Sequence, residues 1–119
     1  MDIRLKRVYE PPAPGDGFRV LVDRLWPRGL AKADAHLDLW LSSVAPSSAL
    51  RRWFNHDPNK WDEFRQRYFV ELQHHNEELT PIIERVRRGL RITFVYAAKE
   101  ETCNNAMALR AYIRAVHAS

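Results

Sequence analysis

Phe18–Gly29, FRVLVDRLWPRG, decides the reading of this chain, because an apolar run gives way abruptly to Asp23, Arg24, Trp26, Pro27 and Arg28. Arg19–Val22 is continuous and rich in aliphatic side chains, the pattern of a strand covered on both faces, and it reads as the central strand of a sheet. A second run, RITFVY at 91–96, ends in the same way just before Lys99. The helical stretch between Val22 and Ile92 is long enough for a crossover, so the two strands are expected to lie parallel in one sheet. Their carboxyl ends then face the same way. Ligands of open α/β sheets sit outside those ends, which makes the segments 23–29 and 97–105 the expected walls of a binding crevice.

Outward from that centre, Ile3–Val8 alternates apolar and basic residues, the period-two signature of a half-buried strand near a sheet edge. YEPPAPGDG at 9–17, with three prolines and two glycines, has little choice but loop. It carries no helical pattern, so the direction of the first strand is open. Leu37, Trp40, Leu41 and Val44 recur at helical spacing and predict a short helix over Asp34–Ser43. Ser47 or Ser48 is placed to cap a second helix through Leu50, Trp53 and Phe54. Asp57-Pro58 is a helix start, with a carboxylate for a free amide and proline at the first position. That third helix buries Trp61, Phe64, Tyr68 and Leu72 and turns Asp62, Glu63, Arg65 and Arg67 outward. Thr80-Pro81 repeats the signal for a helix through Ile82, Ile83 and Val86, ended by Gly89. Ala106–Val116 is the last helix, with Leu109, Tyr112, Ile113 and Val116 on its apolar stripe. The order implies a small α/β fold, a single domain over 1–119, three-layer-like, with mostly parallel strands flanked by helices.

With 119 residues the chain is long enough to bury a core without metal or disulfide. Its one cysteine, Cys103, cannot form an internal disulfide and suits a reducing compartment, so a cytoplasmic location is expected. No apolar stretch approaches a membrane span, and the N-terminus lacks the apolar core of a signal peptide. A net charge of +4 and a pI near 9.6 favour acidic partners. Lysines and arginines are interleaved with carboxylates along the whole chain, which argues for a solvated mixed-charge surface ahead of a nucleic-acid-binding face.

RVLVDRLWPRG at 19–29, APSSALRRWFNHDPNKWDEFRQRYFVEL at 45–72 and TFVYAAKEETCNNA at 93–106 together resemble the YeaO-like branch of the bacterial family known as domain of unknown function 488. The resemblance covers most of the chain and implies a compact α/β domain, with no established activity, substrate or cofactor. Relatives often carry histidine where this chain has Cys103 and aspartate where it has Glu100, whereas Asn104 matches.

Arg24, Arg28 and Lys99 are placed to converge on an anion, since guanidinium forks bind carboxylate or phosphate and lysine adds a point charge. A last helix beginning near Cys103 or Asn104 would aim free amides into the same crevice. The alternative is that Arg24 bridges Asp23 or another carboxylate and Lys99 is merely solvated. Trp26 and Tyr96 are candidates to stack on a flat ligand, against the commoner use of aromatics in packing. Asp23 is the first acid/base candidate. Burial raises its pKa and nearby arginines lower it, so the sign is open at this stage. His56 beside Asp57 is the second catalytic candidate, although helix capping already accounts for Asp57. Cys103 at a helix start is either a reactive thiol or inert. His74-His75 and the remaining spacings offer no zinc ligand set, and the four glycines form no phosphate loop, so no metal or cofactor is expected. Two functions compete. One is a domain that binds, and in an enzymatic version acts on, a small nucleotide-like or carboxylate anion. The other is a non-catalytic nucleic-acid or protein-interaction module using Arg51, Arg52, Arg65, Arg67, Arg87 and Arg88.

Overall fold

A computed structural model describes residues 1–117. Four strands, β1 (Ile3–Arg7), β2 (Phe18–Leu21), β3 (Leu39–Trp40) and β4 (Ile92–Tyr96), form one sheet in the order β1-β4-β2-β3. Every neighbouring pair is parallel, β1 included, with Ile3 opposite Ile92 and Phe18 opposite the same Ile92. The two apolar runs are the two inner strands, as their lack of alternation requires. Five helices flank the sheet: α1 (Lys32–Ala35), α2 (Ser48–Phe54), α3 (Trp61–Leu72), α4 (Thr80–Arg87) and α5 (Asn105–His117). The result is the α/β architecture expected from the order of elements.

The two faces are covered unequally. Ile3, Val20, Val22, Ile92, Phe94 and Tyr96 point to the face that carries α2 to α5, where Phe64, Tyr68, Leu72, Ile82, Leu109 and Ile113 complete the main core. Val8, Leu21 and Val95 form a smaller cluster on the other face, beneath Trp26, Leu30 and Leu37. That thinner cover is held by polar bonds. The buried Arg19 reaches Asp16 at 2.6 Å and donates to the carbonyls of Ala35 and His36 at 3.0 and 3.1 Å. Lys6 also meets Asp16 at 3.2 Å, and these donors together with the Ala13 amide hold the Asp16 carboxyl below its usual range in spite of burial. A buried cation tolerated inside a parallel sheet needs such a full set of acceptors.

The helix expected over Asp34–Ser43 is absent. One turn, α1, ends at His36, whose φ of 50° is left-handed, and the chain then pairs as β3. Arg19 is the cause, because its side chain takes the last carbonyls of α1. Its backbone N–H donates to the Asp38 carboxylate at 2.8 Å, and its carbonyl accepts from Asp38 N at 2.9 Å. Leu39 and Leu41 thereby face the main core while Leu37 packs under the opposite face, an arrangement that the helical spacing hid. Two caps also resolve. Ser47 Oγ accepts from Leu50 N at 3.1 Å, as expected, while Leu79 and not Thr80 sits at the N-cap of α4.

Gly17 and Gly89 have nearly the same positive φ, 68° and 71°, but only Gly17 lies against backbone: a Cβ there would stand 2.5 Å from the Arg91 carbonyl oxygen. Gly89→Ala should therefore cost about 1–2 kcal/mol, the penalty of the left-handed region alone. Gly17→Ala should cost at least roughly 1 kcal/mol more, as strain is added where β2 meets β4. Urea unfolding of the two variants measures the difference.

Candidate functional site

The carboxyl ends of β1, β2 and β4 come together as the parallel order demands, and Asp23 is at their centre. Its Oδ2 accepts from Ala97 N at 2.8 Å and its Oδ1 from Asn105 Nδ2 at 3.0 Å. Asn105 Nδ2 also donates to the Val22 carbonyl at 2.9 Å. Burial pushes the Asp23 carboxyl above the usual value, against these two hydrogen bonds and the charge of Arg51. The main chain at Asp23 is engaged too, its carbonyl accepting from Trp40 Nε1 at 2.7 Å.

Arg24 turns the other way. It donates from Nη2 to the Ala45 carbonyl at 2.9 Å and from Nε to Pro46 at 3.2 Å, and it pairs with neither Asp23 nor another carboxylate. The same segment receives Tyr68, whose hydroxyl donates to Val44 at 2.6 Å, and Glu71, which accepts from Ser47 N at 2.8 Å and Ser47 Oγ at 2.6 Å. Arg24 therefore helps anchor the entry to α2.

Trp26 is half-buried, donates from Nε1 to the Leu30 carbonyl at 2.6 Å, and meets Trp40 edge-on at 5.5 Å between ring centres. Trp40 is 42% exposed and Leu25 66%, so this end of the sheet shows apolar surface. Arg28 is exposed, and its carbonyl accepts from Tyr9 Oη at 2.9 Å. Arg7 lies over the Tyr9 ring and donates to the Ala97 and Ala98 carbonyls at 3.1 and 3.0 Å, which brings Arg28 and the exposed Lys99 to a common rim. Tyr96 is buried, and burial raises its phenol pKa. Asn104 caps α5, its Oδ1 accepting from Met107 N at 2.9 Å while its Nδ2 donates to Glu100 O at the same distance. Thus Asn104 already fills one of the amide positions that an anion would use.

His56 stands apart. It is exposed at the end of α2 with φ of 55°, and Asp57 beside it accepts from Asn59 N at 3.0 Å. Among the described residues no hydrogen bond or ion pair joins His56 to Asp23, and no cluster of three or more His, Cys, Asp or Glu is placed to hold a metal ion. No described helix is long and apolar enough to cross a membrane. On the helical face, Arg65 pairs with Asp62 at 2.7 Å and Arg67 pairs with Glu63 and covers the Trp53 ring at 4.2 Å. Arg51, Arg52, Arg87 and Arg88 are exposed and make no ion pair or ring contact among the described residues, Arg51 acting on Asp23 by charge alone. The sequence reading missed Asn105 and Arg51 as neighbours of Asp23, and Arg7 as the link between loops. Asn105 had a signal, since a polar side chain opening a helix after a strand is positioned to face the strand ends.

A family profile described as the inactive DUF488-N3 subclade matches residues 2–118. The chain belongs to that subclade. The uncharacterized protein YeaO of Escherichia coli (strain K12) is 39% identical over 116 residues, 98% of this chain and all of that protein. The uncharacterized protein Rv3073c of Mycobacterium tuberculosis (strain ATCC 25618 / H37Rv) is 51% identical over 70 residues, 59% of each chain. No solved structure matches. The family read from the three motifs is confirmed, and its relatives are bacterial.

Two outcomes follow from the geometry. The side-chain carboxyl of Asp23, followed by NMR, should titrate above the ordinary aspartate value. Because its folded pKa is raised, the native state binds the proton more tightly. The contribution of Asp23 to stability is therefore complete below the ordinary value and falls as pH rises through its own pKa. Denaturation of wild type and Asp23→Ala should show their stability gap narrowing over that interval. Arg24→Ala leaves the buried carbonyls of Ala45 and Pro46 short of a donor and should cost about 1–3 kcal/mol in urea unfolding.

Proposed function

We propose that the protein is a non-catalytic binding domain that holds a small nucleotide-like or carboxylate anion at the carboxyl end of its sheet. The observation that carries this reading is the division of labour among the charged groups there. Asp23 and Arg24, which chemistry would need free, have their polar atoms engaged by the fold, whereas among the described residues the side chains of Arg28 and Lys99 make no hydrogen bond or ion pair and Arg51 has only its charge interaction with Asp23. Exposed Trp40 supplies an apolar wall beside them. The description of the family as inactive supports the absence of turnover. The basic helical face is less favoured, because Arg65 and Arg67 are already paired.

The test is a 15N NMR titration with AMP, GMP, ribose 5-phosphate and citrate at fixed ionic strength, with 31P or 13C spectra of each compound recorded over hours. Saturable shifts are expected at the Trp40 indole and in residues 97–105, with no product formed. Arg51→Glu and Lys99→Glu should each weaken binding about five- to tenfold. Turnover of any compound, or shifts confined to α3 and α4, would overturn the reading.

A further inference from the structure

β1 is an edge strand, and its outer edge is partly open among the described residues. Asp2 O accepts from Ile92 N and Val8 N donates to Tyr96 O, so the even-numbered residues of β1 turn their main-chain groups to β4 and Ile3, Leu5 and Arg7 turn theirs outward. The Arg7 end of that outer row is closed, and at the other end the Ile3 carbonyl is taken. Ile3 O accepts from Arg110 Nη1 at 3.3 Å, Arg7 N donates to Glu10 Oε2 at 2.9 Å, and Arg7 O accepts from Glu10 N at 3.0 Å. Between them, among the described residues, both the N–H and the C=O of Leu5 have no partner across the edge. Beside them runs an open groove of about 510 Å³, between β1 and the first turns of α5, with Leu5, Met107 and Arg110 on its wall.

We propose that this edge takes up an acidic peptide segment as an added β-strand. Main-chain pairing at Leu5 supplies the bonds, as in other strand-addition sites, and the flanking side chains select the partner. Arg4 and Lys6 stand on one face, on either side of Leu5; Arg4 is 57% exposed, with Asp2 at 3.4 Å, while Lys6 is 20% exposed and meets Asp16 at 3.2 Å. An added strand places its alternate side chains directly across from them, at the close non-hydrogen-bonded positions. A carboxylate therefore meets the exposed Arg4, a second one two residues on meets Lys6 beside its Asp16 partner, and the apolar side chain between them meets Leu5 and Met107. Arg110, near a second cation in Arg114, adds to the positive field at the amino end of the groove. Glu10 and Glu101 lie at the other end and set the polarity of the acidic segment toward Arg4.

The same charges disfavour a second copy of this strand in the two registers that put cations alone across from each other. Antiparallel pairing that seats Leu5 opposite Leu5 of another β1 sets Arg4 against Lys6, and pairing opposite Arg7 sets Lys6 against Lys6, like charges directly opposite. Pairing opposite Ile3 sets Arg4 against Arg4 but Lys6 against Asp2, and the test below decides whether that copy forms.

The test uses the whole chain and the peptide acetyl-Val-Asp-Val-Asp-Val-amide. Hydrogen exchange of the Leu5 amide should slow about tenfold or more at saturating peptide, as expected for an amide drawn into a ladder. The lysine counterpart, and an aspartate peptide N-methylated at its valines, should leave it unchanged. Arg4→Glu should reverse the preference between the two charged peptides. Equal protection by both, or binding of the acidic peptide without protection of Leu5, would overturn the proposal. Protection that rises with protein concentration in the absence of peptide would do so as well, since it would make a second copy the occupant.

Discussion

The Asp23 carboxylate carries the contact on which the arrangement of layers depends. β2 and β4 run side by side through Leu21 and Val95, and Val22 N still donates to Val95 O at 3.2 Å before the chains part. Asp23 Oδ2 then takes Ala97 N, so a side chain continues the ladder one step after the backbone has left it. Its other oxygen and the Val22 carbonyl hold Asn105 from both sides, which fixes the first residue of α5 over the strand ends. From that point α5 crosses β4 and β1 and closes the main core with Leu109 and Ile113. Arg24, one residue on, anchors the segment that enters α2. Two adjacent charged residues thus position the helical layer at two separate places, and the cost of bringing a carboxylate in from water is offset only in part by the donors it gathers, which is why its pKa stays raised.

Much of this frame was legible in the chain. The runs around Val20 and Phe94 lack alternation because both sides of an inner parallel strand are covered, and that physical requirement is written directly in residue type. Capping chemistry placed α2 and the approach to α3, where Ser47 and Asp57 bond the amides their side chains can reach. The segment 34–43 misled because LDLWL satisfies a period of two as well as a helical spacing. Only Arg19, from a different strand, decides between them by claiming the carbonyls that a helix would need. Such a decision is tertiary and has no local signature. The same limit applied to the site. Its residues were identified by chemical type, and the gathering of the loops after β1, β2 and β4 followed from topology. The direction of Arg24 depended on carbonyls in a segment about twenty residues away, and no spacing rule encodes that.

A carboxyl raised by burial is a common mark of acid/base chemistry. What distinguishes Asp23 is that both oxygens already receive donors from the protein, one of them a backbone amide that cannot rotate away. Proton transfer to a substrate would have to use the remaining lone pairs beside the Ala97 amide and Asn105, within a contact that also continues the β2–β4 ladder. A binding role would draw instead on cations such as Arg28 and Lys99, whose side chains make no ion pair among the described residues. Selection that retains the architecture while chemistry is absent would keep Asp23, Arg24 and Asn105 for stability alone, in keeping with a subclade described as inactive.

The two edges of the sheet meet the hazard of unpaired main chain differently. β3 has only two residues, and the indole of Trp40 folds back onto Asp23, so length alone leaves little template there. β1 has five, and is protected by position: Arg110 and Glu10 take main-chain groups at its ends, and Arg4 and Lys6 face each other when a copy pairs with Leu5 opposite Leu5. Charge of one sign is a selective barrier, since it opposes like strands and attracts unlike ones. An edge blunted by shortness is closed to every partner, whereas an edge guarded by cations remains accessible to an acidic one, and Leu5 is where that access is left.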